Sequence, residues 1–219
     1  ERTAKRPLVT GEINKKSAYV YSISLGLVGF LILYTQTTEL AAYIALSANI
    51  FYSFIYTLIL KPRTNQNIVI GGAAGAAPVL IGWSATGTNL DTGSWLLFLL
   101  VFLWTPAHFW ALSIDKLNDY KDANFPMLPT QESYKRTSIF IGVYSCATVL
   151  TSLLLAPILQ LGIVYLLLSL IFGFYLMFKS YQLYRKRIKA ISYFVFSNTY
   201  LAVIFLSMVA DIFITLSSI

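Results

Sequence analysis

From Ser94 to Ile114 the chain runs SWLLFLLVFLWTPAHFWALSI, without a single Asp, Glu, Lys or Arg. Acidic residues bracket it, Asp91 before and Asp115 after. A helix that crosses about 30 Å of hydrocarbon needs about 20 mainly apolar residues, because lipid offers its backbone no hydrogen-bonding partner. This run meets that requirement. So do Ser17–Thr35, Leu40–Leu60, Asn67–Thr86, Ser138–Ala156, Ile158–Phe178 and Ile191–Ser217. The expected fold class is all-α, a polytopic membrane helix bundle with seven transmembrane spans in this chain. Asn67–Thr86 is the weakest span by hydropathy, since Gly71, Gly72, Gly75 and Pro78 interrupt it.

Composition points the same way. Of 219 residues, 57% are hydrophobic and 11% charged, where soluble domains carry roughly 25% charged residues. A water-soluble globule could not cover its surface with so few charges. The longest connection between spans, Asp115–Thr137, leaves no room for a soluble domain, so residues 1–219 are expected to form one integral-membrane domain. The lone cysteine, Cys146, lies in the apolar run Ile139–Leu155 and excludes an intrachain disulfide. The chain opens on Glu1 with a polar, basic segment that lacks a signal-peptide core, and is expected to be N-terminally truncated.

A net charge of +7 would suggest nucleic acid, but the distribution of the 16 Lys and Arg residues excludes that partner. Arg2, Lys5, Arg6, Lys15 and Lys16 precede the first span. Lys61 and Arg63 follow the second, and Lys116, Lys121, Lys135 and Arg136 follow the fourth. Lys179, Arg185, Lys186, Arg187 and Lys189 follow the sixth. Every one therefore falls on the same side, which marks the cytoplasmic face. The N-terminus is expected inside the cell (inner) membrane and the C-terminus outside.

Candidate chemistry gathers on that face. The loop Lys61-Pro62-Arg63-Thr64-Asn65-Gln66-Asn67 crowds two cations and three side-chain amides at a membrane boundary. Arg as a planar fork and Lys as a point charge could grip a phosphate; the competing reading is that both are orientation charges snorkelling to headgroups. In the next loop on this side, Asp115 and Asp119 would share one helix face if the fourth helix continued past the membrane, with Asp122 a turn further on. Stacked carboxylates suit Mg²⁺; a solvated helix end is the alternative.

Within the spans, His108 beside Pro106 is the only histidine, and an intramembrane ionisable group is functional by default. A histidine bonded to a neighbouring helix is the competing view. The Gly71-x-x-x-Gly75 spacing reads as close helix packing. Asn49 and Asn198 read as polar glue between helices, Asp211 as an interface residue, and the run Arg185–Lys189 as a membrane-surface charge patch.

Four strings in register resemble the protohaem IX farnesyltransferases (haem O synthases), a branch of the UbiA-type prenyltransferases. They are Arg2-Thr3…Arg6-Pro7…Gly11; Tyr56-Thr57-x-x-Leu60-Lys61-x-Arg63-Thr64-x-Gln66-Asn67; Trp104-Thr105-Pro106-x-His108-Phe109-Trp110; and Asp119-Tyr120…Pro126-Met127-Leu128-Pro129. They cover the first 130 residues; the last three spans match in hydrophobicity and length alone. Pro62 stands where a second basic residue is usual, and Asn118 where an acidic one is common.

The resemblance implies a nine-span bundle in the full-length protein, with an upstream aspartate motif and two spans preceding Glu1. It also implies transfer of a farnesyl group from farnesyl diphosphate to the 2-vinyl group of protohaem IX, with addition of water, giving haem O. Mg²⁺ would be held by Asp119 and Asp115. Lys61 and Arg63 would stabilise the departing diphosphate, with Tyr56 facing the allylic cation. Asn67, Lys121, Tyr120, Trp104 and His108 would bind substrates, His108 orienting haem, and haem A synthase would act downstream. Two rivals stand beside it: a related prenyltransferase acting on another aromatic or quinone precursor, and a seven-span transporter. A transporter would not explain a Lys/Arg loop facing a carboxylate loop, and its charges tend to lie near the midplane.

Overall fold

The computed structural model describes residues 5–217. Arg2 and Thr3 of the first string lie outside them. Seven helices are long and apolar enough to cross a membrane: α1 (Lys15–Gln36), α2 (Glu39–Arg63), α3 (Asn67–Ala85), α4 (Thr92–Asp115), α5 (Tyr134–Ile158), α6 (Ile163–Tyr184) and α7 (Ala190–Ser217). Among the described residues there is no strand.

Local chemistry starts each span. Asn14 accepts from Ser17 N at 2.7 Å and opens α1, while the Thr38 hydroxyl accepts from Ala41 N at 3.1 Å and opens α2. Asp91 and Ser94 bond each other's backbone N–H, both at 2.9 Å, in a capping box that opens α4. Ser133 caps α5 at Arg136 N.

The helices α4, α5, α6 and α7 pack in a closed ring, each touching the next and α7 returning to α4. Its core holds Leu100, Trp110, Ile141, Tyr165, Tyr193 and Tyr200. The helix α3 packs on the outer face of α4, α2 on α3, and α1 on α2. Lipid removes the hydrophobic drive for helices to associate, so hydroxyl pairs and small residues do the joining. Ser145 Oγ lies 2.6 Å from Tyr193 OH, Tyr165 OH donates to Ser152 O at 2.7 Å, and Tyr200 OH donates to Ser152 Oγ at 2.8 Å. The expected glue residues Asn49 and Asn198 are exposed instead; short hydroxyl side chains let helix backbones come closer than an amide does.

The expected sixth span, Ile158–Phe178, is displaced. The helix α6 begins at Ile163 because Pro157 closes α5, Gln160 takes a left-handed turn (φ 53°), and Gly162 N–H donates to the buried Asp211 carboxylate on α7. It runs on to Tyr184 because Lys179 finds partners at the membrane boundary, the Ser192 hydroxyl at 3.2 Å and the Tyr175 ring at 5.5 Å. Asp211 thus ties α7 to the turn before α6. Packing at Gly71-x-x-x-Gly75 is asymmetric. A Cβ on Gly71 would fall 2.3 Å from the Tyr56 ring, and one on Gly72 would meet Thr105 at 3.4 Å, whereas Gly75 faces open space.

Candidate functional site

Midway along α2 the backbone widens into a π-helix over Phe51–Leu60, with Thr57 Oγ1 bonding back to Tyr52 O at 2.8 Å. Such turns are rare and frequent at functional sites. Here the widened segment stacks Tyr52 on Tyr56, ring centroids 5.2 Å apart, and seats Tyr56 against bare Gly71. Beyond α4, the Tyr120 carbonyl accepts from Phe125 N at 3.0 Å. The widened segment ends on Lys61, Pro62 and Arg63, one last helical turn.

The loop after α4 comes to meet it. The string Pro126–Pro129 is a structural anchor, with Met127, Leu128 and Pro129 buried. Thr130 Oγ1 closes this turn on Met127 O at 2.7 Å, and Asn124 bends the chain through a left-handed backbone (φ 54°). Phe125 is thereby set beneath the Lys61 ammonium, which lies 5.1 Å from its ring centroid, a cation–π contact. Asn67, fully buried at the start of α3, joins the two loops: Nδ2 reaches Lys61 O and Pro126 O, each at 3.4 Å. Its Oδ1 is buried with no partner. Tyr52, Tyr56, Lys61, Asn67, Tyr120 and Phe125 therefore meet where the α2–α3 and α4–α5 connections converge.

The charged residues ring this cluster. Lys61 is half-buried, while Arg63, Asp119 and Lys121 are exposed. The continuous acidic face does not form. The helix α4 stops at Asp115, Lys116 leaves helical geometry (φ −103°, ψ 31°), and a separate short helix, Leu117–Asp122, carries Asp119 and Asp122. Asp115 instead pairs with Lys116 at 3.1 Å. Among the described residues no three His, Cys, Asp or Glu converge on a point, so they do not form a metal cage. Asp119, an exposed carboxylate outside the ion pairs of the described residues, fits half a Mg²⁺ site. That ion is commonly held by one or two carboxylates with substrate phosphates completing its shell.

Trp104 and His108 lie elsewhere. Four residues apart on α4, they share the face that meets α7. Trp104 Nε1 donates to Ser197 O at 2.8 Å, and His108 Nδ1 lies 2.7 Å from Ser197 Oγ. The imidazole is sandwiched between the Trp104 and Phe194 rings, both 4.2 Å away centroid to centroid, and is 5% exposed. The structure gives Trp104 and His108 interhelical partners and sets them apart from the Lys61–Phe125 cluster.

Two members of the cluster were not singled out in the sequence. Tyr52 carried a signal, its four-residue spacing from Tyr56, and Phe125 directly precedes Pro126 of the fourth string. Ser197 and Phe194, the partners of His108, carried none.

A sequence profile of the UbiA prenyltransferase family matches residues 1–209. The chain belongs to the UbiA prenyltransferase family. Among its curated relatives, a protohaem IX farnesyltransferase of Thermus thermophilus is 43% identical over 96% of this chain and 35% of that protein. A protohaem IX farnesyltransferase of Saccharopolyspora erythraea is 42% identical over 96% of this chain and 69% of its own length, and that of Synechocystis sp. is 42% identical over 96% and 68%. The chain thus spans about a third of the Thermus protein and about two thirds of the other two.

Solved structures share the fold of this UbiA-family chain. One described as digeranylgeranylglyceryl phosphate synthase in membranes aligns with a TM-score of 0.75 at 18% identity, covering 96% of this chain and 74% of that one. A UbiA homologue from Aeropyrum pernix K1 aligns at 0.69 with 17% identity, covering 96% and 78%.

Proposed function

We propose that this UbiA-family chain transfers a farnesyl group from farnesyl diphosphate to the 2-vinyl group of protohaem IX, water completing the addition to give haem O. The observation that carries the reading is the joining of a Lys/Arg loop to a carboxylate-bearing loop by Asn67 and by the Lys61–Phe125 contact, at the basic end of an apolar bundle. The names of the curated relatives support the substrates, and favour haem over another aromatic or quinone acceptor.

The reaction asks three things of the protein. The C1–O bond of the prenyl diphosphate breaks and the diphosphate leaves with the electron pair, so positive charge must already be aimed at it. Lys61 is held ready by the Phe125 ring, and Arg63 and Lys121 supply further cations nearby. Asp119 would hold Mg²⁺, which would supply Lewis-acid charge toward the same leaving group. Asp115, tied to Lys116, has the lesser claim on the metal.

The allylic cation must next be kept from solvent until the vinyl π electrons attack it. The Tyr56 face, flanked by Tyr52 and seated on Gly71, is the electron-rich surface on offer. Attack forms the carbon–carbon bond and moves the charge to the carbon next to the porphyrin, where water adds and releases a proton. No net redox change occurs. Tyr120 lines the same site, and Asn67 positions both loops. Trp104 and His108 serve haem binding indirectly, by holding α4 to α7. The whole chain acts as one membrane domain of the cell membrane, with the basic end in the cytoplasm and haem A synthase consuming the product.

The test is to incubate the full-length protein with haem, farnesyl diphosphate and Mg²⁺ and to weigh the porphyrin product. A gain of one farnesyl group plus one hydroxyl supports the reading. Unaltered haem from protein that binds the prenyl diphosphate would reject haem as the acceptor.

A further inference from the structure

Away from that site, a cleft of about 270 Å³ lies between α5 and α6 at the basic end of the bundle. Ile139 and Gly142 line it from α5, with Met177, Ser180, Tyr181 and Tyr184 opposite on α6. Its walls are apolar with hydroxyls interspersed. Ile139 is 47% and Tyr181 52% exposed, so the cleft faces the lipid rather than the core. Gly142 keeps it open, since a Cβ there would already touch Ser180 Oγ at 3.4 Å.

Cations stand at its mouth. Ile139 and Gly142 continue one turn outward to Lys135, which lies on the same face of α5 four residues before Ile139. Lys186 takes a left-handed backbone (φ 56°), uncommon for a lysine, and holds its ammonium 5.0 Å over the Tyr134 ring at the start of α5. Tyr134 OH donates in turn to Leu183 O at 2.7 Å and ties the end of α6 to the start of α5. From Lys179 to Lys189 the chain carries five Lys and Arg and no acidic residue. Among the described residues the ion pairs are Lys116–Asp115 and Arg136–Glu132, so Lys135, Arg185, Lys186 and Arg187 have no carboxylate counter-ion.

We propose that this cleft holds an acyl chain of an anionic phospholipid from the leaflet at the basic end, its phosphate resting between Lys135 and Lys186. An apolar slot at acyl-chain depth below unneutralised cations at headgroup depth matches the two halves of such a lipid, and basic pockets between membrane helices are known to take such headgroups. Zwitterionic lipid fills the slot equally well and carries a phosphate too, but its own ammonium offsets that charge, so the cations gain little net attraction from it. A soluble anion meets the cations but not the slot.

The test is native mass spectrometry of the full-length protein, titrated with phosphatidylglycerol or with phosphatidylcholine of the same acyl chains. Each surface cation contributes about fivefold to binding of anionic lipid. The double variant Lys135→Gln/Lys186→Gln is therefore expected to hold phosphatidylglycerol roughly 25-fold more weakly, with phosphatidylcholine much less affected. Gly142→Leu, which fills the slot while leaving the charges in place, is expected to weaken phosphatidylglycerol at least about fivefold. Ile139→Trp, at an exposed position, serves the same purpose should Gly142→Leu misfold. Inorganic phosphate is expected not to displace the lipid.

Equal retention of the two lipids by the wild-type protein would overturn the proposal, as would a charge variant that binds like wild type. Slot variants that leave phosphatidylglycerol unaffected would reduce the patch to surface adsorption and overturn it as well. Full displacement by inorganic phosphate would make it a soluble-anion site instead.

Discussion

Replacing Gly71 by Ala tests whether the Tyr56 ring must stay where the π-helical segment puts it. The new Cβ would lie 2.3 Å from Tyr56 Cδ2 and 2.6 Å from Cε2. Carbon atoms settle at about 3.5–4.0 Å, so the ring must retreat by about 1.2 Å or more and disturb its stacking on Tyr52. Overpacking of this kind costs about 1–3 kcal/mol of stability. Misplacement of a positioned group by about 1 Å can cost about 100-fold in rate.

The expected outcome in the full-length enzyme is a 10- to 100-fold fall in kcat for haem farnesylation, on the order of those effects. KM for farnesyl diphosphate should move little, because Lys61, Arg63 and Asp119 are untouched. Gly75→Ala is the matched control. Its Cβ meets nothing within 4 Å, and Ala is the better helix former by roughly 0.5–1 kcal/mol, so stability should hold or rise with activity intact. Wild-type turnover in folded Gly71→Ala, or equal damage from Gly75→Ala, would refute the role given to the ring.

Further outcomes follow from other parts of the structure. Asp119→Asn should abolish Mg²⁺-dependent turnover while the protein still accumulates in membranes; wild-type product formation would remove Asp119 from the metal site. Lys61→Gln should raise KM for the prenyl diphosphate roughly tenfold or more, as loss of a charge-assisted contact worth about 1.5–3 kcal/mol requires, and steady-state kinetics would read it. His108→Ala should destabilise the bundle by about 3–5 kcal/mol, as truncation of a buried ring does, and Ser197→Ala by about 1 kcal/mol through the lost hydroxyl–imidazole bond. A thermal double-mutant cycle should show the two coupled, and additivity would deny the clasp. Gly162→Ala brings a Cβ within 3.0 Å of the Asp211 carboxylate and should lower thermal stability by about 1–3 kcal/mol through the strained contact.

Hydropathy and charge were enough for the span count and the shared basic end, while the family resemblance rested on residue identities in four strings. Each of these depends on residue type along one helix or loop, and the apolar run from Ser94 to Ile114 can satisfy its backbone in lipid in one way only. Boundaries were less legible. Start and stop depend on caps such as Ser133, and on Asp211 reaching from α7 to Gly162, contacts that an average over apolar residues does not register.

The site divides along the same line. Lys61, Arg63, Asp119 and Asn67 are recognisable as polar groups placed at a membrane boundary. Their convergence is tertiary, since it takes the buried anchor Met127–Pro129 to bring Phe125 under Lys61, and Asn67 to span residues far apart in the chain. Tertiary packing alone decides that His108 faces α7, because a helix presents a residue in one direction and what waits there belongs to another helix. It likewise decides that Asp115 and Asp119 part company, through one non-helical residue, Lys116. Sequence specifies what each residue can do; the packing of helices against one another specifies what it meets.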